Sequence, residues 1–450
     1  MQANLLLFPH QQLLHERFLQ TDVGQLYQAI PFEALAKQIP APKRAMSGKG
    51  CKPWFDVKGA IGLLILKHYL CCSDEMLIER INTDWSLQLF CGIQLHPGEK
   101  IKDTNLPSTW RGYIGRRLDI GALQKQVADY WKPYMEETNI GSQDATCYES
   151  RIAHPTDIKL LWQCSHEVYQ LLQRQRKSMG LRKSRSNYDK QKKQYLSYQK
   201  RKKKTKSQER KLRKKLLKYL LRLTTLENEL QYKHNIYVSI DQKKRLQIID
   251  RVYEQQHHKA YGNPKEPIKN RIVSLSKPYI RPIVRGKETK AVEFGAKVNK
   301  LQVNGISFIE HFSYDAFNEG THYQNGIHLQ RKLFRKCTHH SADAIYATNA
   351  NRKYCTKNSI VTNFIPKGRQ KEQDLEPAKI MRGLLNKERG TRLEGSFGNE
   401  KNHYLVQKVN ARNEYTERCW IFFGILTANA SIISQRIMKV TQNACKSRAA

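Results

Sequence analysis

Leu212, Leu216, Leu220, Leu223, Leu226 and Leu230 recur every three or four residues through the most basic part of the chain. That spacing places all six on one side of an α-helix, and an apolar stripe of this length must be buried against another element. The intervening positions carry Lys211, Arg213, Lys214 and Lys215, and just upstream lies Arg201-Lys202-Lys203-Lys204. The segment from Gln191 to about Lys218 therefore predicts a long helix or helical hairpin, coiled-coil-like, with one face sealed and the other polycationic. Over 450 residues the chain carries 79 Lys and Arg against 40 Asp and Glu, a formal net charge of +39. Such an excess repels itself in a compact state and is tolerated most easily beside a polyanion, which points to nucleic acid rather than a small metabolite. An anionic membrane surface comes second, without a lipidation motif to support it.

The length allows two or three domains. Residues 1–139 read as a helical N-terminal domain that binds DNA. Val57, Ile61, Leu64, Ile65 and Tyr69 keep helical spacing, and Ala60 to Cys72, interrupted by Lys67 and His68, reads as a buried core helix rather than a membrane span. Ser73-Asp74-Glu75 marks a helix start. Asp103 to Trp110 has turn chemistry, after which Arg111, Arg116 and Arg117 fall on a basic helix suited to a phosphate backbone. The N-terminus lacks the basic and apolar regions of a signal peptide. Ten cysteines are scattered without a C-x-x-C pair, which predicts reduced thiols. Cys337-x-His339-His340 is the one cluster with metal-ligating residue types, and it has no second ligand pair at zinc-like spacing.

From Thr138 the pattern changes. A short strand carries Asp144; Pro155 ends it, and Thr156 or Asp157 can cap the amphipathic helix that follows. From Arg271 onward, short β-branched runs alternate with turns at 285–287 and Asn304-Gly305. A helix is expected over 324–335, a strand over 342–349, a further strand from Ser359, a mobile basic linker over 366–374, and a helix from Ala378. Trp420-Ile-Phe-Phe-Gly-Ile-Leu reads as a buried helix, and 431–450 as a frayed basic tail.

The run Gly390 to Tyr404 packs carboxylates, cations and three glycines together with little apolar periodicity. If it is helical, Glu394 and Lys401, seven positions apart, share nearly one face. An acid and a base two turns apart suit a cation held next to a phosphate. Asp144, Asp343 and Glu394, at strand ends or a helix entry and far apart in sequence, form the pattern of two-metal phosphoryl transfer. Mg²⁺ prefers such hard oxygen ligands. Asp157, Glu293, Asp315 and Glu400 compete for the same role, Asp157 as a helix cap and Glu400 as a surface or pairing residue.

These motifs resemble those of the DDE transposases of bacterial insertion sequences, in the insertion-sequence-five superfamily. Trp54 to Leu118, with Thr109-x3-Tyr113, is similar to that group's helical N-terminal domain. Asp144-Ala-Thr-x5-Ile152-x2-Pro155-Thr156-Asp157 resembles its first-aspartate block, and Ala342-Asp343-x2-Tyr346-x4-Asn351-Arg352 its second. Gly286-Lys287 through Glu293-Phe-Gly-Ala-Lys297 resembles a block of one subgroup. Arg392-Leu-Glu394-Gly-x-Phe397-Gly-x2-Lys401 resembles the glutamate block. The block's arginine slot holds Gly390 here, flanked by Arg389 and Arg392.

The resemblance implies an α/β fold of RNase H type: a mixed five-stranded sheet with flanking helices. Its first strand would lie in 140–157, its remainder in 265–430, and a basic helical insertion at 158–264 between them. Asp144 would sit on the first strand, Asp343 on the fourth and Glu394 on a following helix. It further implies Mg²⁺ (two ions, Mn²⁺ also serving) and cleavage of double-stranded DNA at terminal inverted repeats. Transfer of the freed 3′-hydroxyl into target DNA would follow, by a homodimer or larger assembly in the bacterial cytoplasm. Lys401 would contact a phosphate near the scissile bond. Arg389, Arg392, Arg352 and the basic residues named above would contact DNA. A non-transposing nuclease on the same fold and a decayed basic DNA-binding protein are the alternative readings.

Overall fold

The computed structural model describes residues 9–42, 53–263, 266–284, 292–368 and 372–449. In chain order the helices α1 (Pro9–Gln20), α2 (Asp22–Gln28), α3 (Phe32–Lys37), α4 (Val57–Tyr69), α5 (Asp74–Thr83), α6 (Trp85–Phe90), α7 (Leu106–Gly115) and α8 (Ile120–Trp131) precede strand β1 (Ile140–Ser150). Then come α9 (Asp157–Ser178), α10 (Tyr188–Lys200), α11 (Lys206–His234), α12 (Ile240–Tyr261), β2 (Pro282–Val284), β3 (Val292–Val303) and β4 (Ile306–Ser313). The rest comprises α13 (Tyr323–Phe334), β5 (His339–Ala342), α14 (Asn349–Lys357), β6 (Val361–Thr362), α15 (Glu372–Glu388), α16 (Gly395–His403), β7 (Lys408–Val409) and α17 (Glu414–Ala449). The fold is mixed α/β, with parallel and antiparallel strands. Two compact units divide it: 1–151 with 296–313 and 317–450, and 152–295 with 314–316.

In the first unit the strands lie in the order β4-β3-β1-β5-β6, with β7 beside the end of β1. β3 and β4 form an antiparallel hairpin. Its two-residue loop, Asn304-Gly305, has positive φ at both positions (48° and 78°), the mirror-image turn that asparagine and glycine tolerate best. β1, β5 and β6 run parallel, and the register Gln143↔Ala342 sets Asp144 beside Asp343 where the two strands end their pairing. β4 would expose unpaired backbone groups, but two side-chain amides cover them. Gln124 of α8 and Asn429 of α17 each bond both an N–H and a C=O, at Ile309 and Ser307 respectively.

α17 is the apolar spine of this unit and packs on α2, α4, α7 and β4. It is long and apolar enough to cross a membrane by length and composition, yet 72% of its apolar window is buried within the protein, as in a core helix. The N-terminal helices accordingly share one compact unit with the sheet instead of standing apart as residues 1–139. The expected frayed tail is likewise part of α17, with Ile433 and Ile437 buried.

The second unit is a helical bundle. Leu212, Leu216, Leu220, Leu223 and Leu230 of α11 are buried against Ile158, Leu161, Val168 and Leu172 of α9, the stripe the sequence predicts. Thr156, not Asp157, caps α9: its hydroxyl accepts from Lys159 N–H at 3.3 Å. Asp157 instead sits in the first turn with a side chain only 7% exposed. It accepts from Arg213 (3.1 Å), Arg271 (3.0 Å), Gln256 (2.9 Å) and Lys259. One carboxylate thus ties α9 to α11, α12 and the irregular segment at 271.

Several local expectations fail. Residues 271–275 pack as irregular chain without ladder bonds, and the strand expected over 342–349 ends at Ala342. α7 begins at Leu106, so Arg111 lies inside it, and Arg116 and Arg117 follow its end. The turn at 285–287, the Gly286-Lys287 motif and part of the expected linker (369–371) lie outside the described residues.

Candidate functional site

Asp144 sits near the middle of β1, and its carboxylate accepts from the N–H of Ala145. Asp343 directly follows β5, where it caps a short 3₁₀ turn, accepting from Ala344 N–H at 2.7 Å. Glu394 closes a π-helical turn, Arg389–Glu394, that links α15 to α16. Such turns widen a helix by one residue and recur at functional sites. Here the turn brings Arg389 and Glu394 to the same side. One guanidinium nitrogen of Arg389 lies 3.4 Å from Asp144 Oδ2 and 2.9 Å from Glu394 Oε1. Those two oxygens are therefore no farther apart than the sum of those distances. Arg392, by contrast, pairs with Glu388 one turn back at 2.9 Å and is half-exposed. Of the two arginines flanking Gly390, Arg389 is the one in the site.

Burial pushes the Asp144 carboxyl up to about 6, with Glu319 and Asp343 raising it and Arg389 opposing them. Glu319 and Glu310 belong to the same neighbourhood and escaped the sequence reading, for nothing in their local spacing marks them. Glu319 pairs with Lys297 at 2.8 Å. Glu310 accepts from Asn299 at 2.8 Å and lies 3.2 Å from His322, and burial raises its carboxyl. Tyr346, from the second-aspartate block, donates to Asn299 at 2.8 Å.

On β1, residues 144, 146 and 148 share a face. Lys401 donates to Thr146 at 2.8 Å and sits over the Tyr148 ring at 5.7 Å. Glu400 is no surface residue: it is 1% exposed, bonded to Lys300 at 2.6 Å and to the Tyr148 hydroxyl. Of the other competitors, Asp315 pairs with Arg281 at 3.6 Å, and Glu293 lies on β3 opposite Ile283.

The cations expected to meet DNA divide sharply. Arg111 is buried, paired with Asp74 at 3.1 Å and stacked 4.5 Å over Trp420. Arg213 is buried between Asp157 and Glu209. Arg352 donates to the carbonyls of Ala347 and Ile365. Arg111 and Arg213 are thus committed to buried ion pairs, and the half-buried Arg352 to two carbonyl oxygens. Tyr113 likewise donates to Pro40 O at 2.8 Å. Arg116 and Arg117 are exposed, each lying over a tyrosine ring. Lys202, Lys203, Lys204, Lys211, Lys214 and Lys215 are all exposed on the helical unit.

Among the described residues no group of three or more His, Cys, Asp or Glu side chains is placed to hold a metal ion. His340, buried between Gln330 (3.2 Å) and Gln143 (3.1 Å), is a satisfied core histidine beside Cys337. The described cysteines are free thiols.

A protein of Rhizobium meliloti described as an uncharacterized protein, ORF8 in the nfe locus, is 32% identical over 130 residues, covering 27% of this chain. The chain spans 58% of that protein's length. No family model and no solved structure matches the chain.

Proposed function

We propose that the protein is a DDE transposase of the insertion-sequence-five type, cutting DNA at its element's terminal inverted repeats and joining the freed 3′-hydroxyl to target DNA. The observation that carries this reading is the convergence of three expected carboxylates. Asp144 and Asp343 lie side by side where parallel β1 and β5 end their pairing, and Glu394 meets Asp144 through Arg389. If β2, which pairs only with the first residues of β3, is set aside, β5 is the fourth strand of a mixed sheet. Asp144 on the first strand and Asp343 just after the fourth would then match the places that the resemblance to an RNase H-type fold implies.

By chemistry, though not by their present grouping, the donors suit a divalent ion. All three groups offer hard carboxylate oxygens, and burial, with Glu319 and Asp343 nearby, raises the Asp144 carboxyl. Asp144, Asp343 and Glu394 would hold Mg²⁺ or Mn²⁺. Bound there, such ions activate an attacking oxygen and stabilise a leaving one. The Arg389 guanidinium bridges Asp144 and Glu394. Arg389 would contact a DNA phosphate beside such an ion. Lys401, held by Thr146 next to Asp144 on the same face, would present a point charge to a phosphate. Arg116, Arg117 and the exposed lysines of α11 and its approach supply non-specific backbone contact, which positions DNA without reading its sequence.

Asp144→Asn and Glu394→Gln test the reading. Each should abolish Mg²⁺-dependent nicking of a plasmid carrying the gene with its flanking DNA, while DNA binding persists. Cleavage retained by both variants refutes it. Cleavage without strand transfer from a precut end would indicate a nuclease instead, and binding without cleavage by the unaltered protein a decayed element product.

A further inference from the structure

α16 is a poor helix on its own account. Its nine residues, Gly395 to His403, include Gly395, Gly398, Ser396 and two asparagines, all weak helix formers. Nothing lies within 4 Å of where a Cβ on either glycine would stand, so packing at those points does not hold the helix. Yet Glu394 precedes its first residue and Lys401 lies in its last turn, so catalytic geometry depends on it.

What holds it is a buried ammonium. Lys300 of β3 has no solvent exposure in its side chain. Its Nζ donates to Glu400 at 2.6 Å, Ser396 at 3.2 Å and Ser307 at 3.3 Å, and lies 4.4 Å from the Phe397 ring centre. It thereby grips the first turn of α16 (Ser396, Phe397) and the second (Glu400). Ser396 in turn donates to Leu393 O at 2.7 Å, inside the π turn. Glu400 passes the grip to β1 by accepting from Tyr148. Asp144, Thr146 and Tyr148, on one face of β1, are thus met by Arg389, Lys401 and Glu400 from the opposing segment. Burying two ions costs several kcal/mol each before they pair, and an apolar pair of equal volume is commonly no less stable. The bonds fix a direction that apolar contacts would leave loose.

On the transposase reading, we propose that Lys300, acting through Glu400, Ser396 and Tyr148, is a positioning residue. It sets the register of the π turn and α16 on β1, so that Glu394 and Lys401 face Asp144.

The full-length protein, with Mg²⁺ and the plasmid above, decides this. Lys300→Met alone strands the Glu400 charge, so the informative variant is Lys300→Met with Glu400→Gln, which neutralises the pair and leaves Tyr148 an amide oxygen to donate to. Melting temperature and plasmid affinity should stay near those of the unaltered protein. The nicking rate should fall about a hundredfold, the cost of a misplacement of about 1 Å. Hydrogen exchange over 395–403 should quicken about tenfold. Tyr148→Phe, which removes only one hydroxyl, should move both readouts in the same direction by a smaller factor and serves if the double variant does not fold. A folded variant that nicks at the unaltered rate, or whose 395–403 amides exchange as before, overturns the proposal. If the unaltered protein does not nick, the transposase reading fails by itself, and the exchange measurement alone decides whether Lys300 holds α16.

Discussion

Asp157 offers the sharpest test of how the basic helical unit is held together. Its carboxyl falls from an ordinary 3.8 to about 2: burial raises it, and Lys259, Arg271 and Gln256 more than offset that. A lowered acid stabilises the fold above its unfolded value and stops doing so as pH falls through its folded value. The contribution is therefore complete above about pH 4 and gone near pH 2, and amounts to about 2–3 kcal/mol. Lys259 and Arg271 are more than a third exposed, so solvent screens them to ~1 kcal/mol or less each. Arg213, 6% exposed, is the buried partner of this carboxylate. Asp157→Ala leaves that guanidinium with Glu209 alone and should cost about 3–5 kcal/mol. For a unit of this size the loss is roughly 6–20 °C in melting temperature. The assay is thermal and urea unfolding of the full chain at pH 7, with hydrogen exchange assigning the loss to α9, α11 and α12. Asp157→Asn should narrow its gap to the unaltered protein as pH falls from about 4 to about 2, where the native carboxyl is itself half protonated. A gap independent of pH over that range, or an Asp157→Ala variant melting within about 1 °C of the parent, would refute the account.

Other outcomes follow from the same charges. Asp144 is raised to about 6 by burial and neighbouring carboxylates, so in metal-free protein its ionised form costs stability above that pH. Asp144→Asn should raise the melting temperature at pH 8 and have no effect below about pH 4. Arg389→Gln removes the cation shared by Asp144 and Glu394. Metal-free stability at pH 8 should drop, and isothermal titration should show Mg²⁺ binding with less competition, while nicking falls if Arg389 meets the phosphate. Changing Lys211, Lys214 and Lys215 together to Gln should weaken DNA binding for every sequence alike and reduce the salt slope by about one per lost phosphate contact. Thiol titration of the native protein should modify exposed Cys71 ahead of buried Cys91, Cys147, Cys164 and Cys419, and reductant should leave the melting temperature unchanged.

Where local chemistry decided the outcome, the sequence was enough. The leucine stripe of α11, the Ser73 cap, the Asn304-Gly305 hairpin and the buried Trp420 helix each rest on spacing or backbone preference within a few residues. The ends of strands did not, because β5 and β6 pair for only a few residues and their limits are set by partners far along the chain. Nor did the fate of individual cations. Arg111 and Arg213 look in sequence like the exposed lysines around them, and only the positions of Asp74 and Asp157 turned them inward.

The glutamate motif shows the same division. Sequence alone set Glu394 and Lys401 seven residues apart and flanked Gly390 with two arginines of equal standing. Tertiary structure chose Arg389, because a π turn rotates it toward β1 while Arg392 falls back on Glu388. It also took Glu400 from the surface to the core, because Lys300, a hundred positions away on β3, needed a counter-charge there. Helical periodicity is a property of neighbours in the chain. Where a buried charge finds its partner is a property of the folded whole, since burial makes an unpaired ion too costly to leave to local preference.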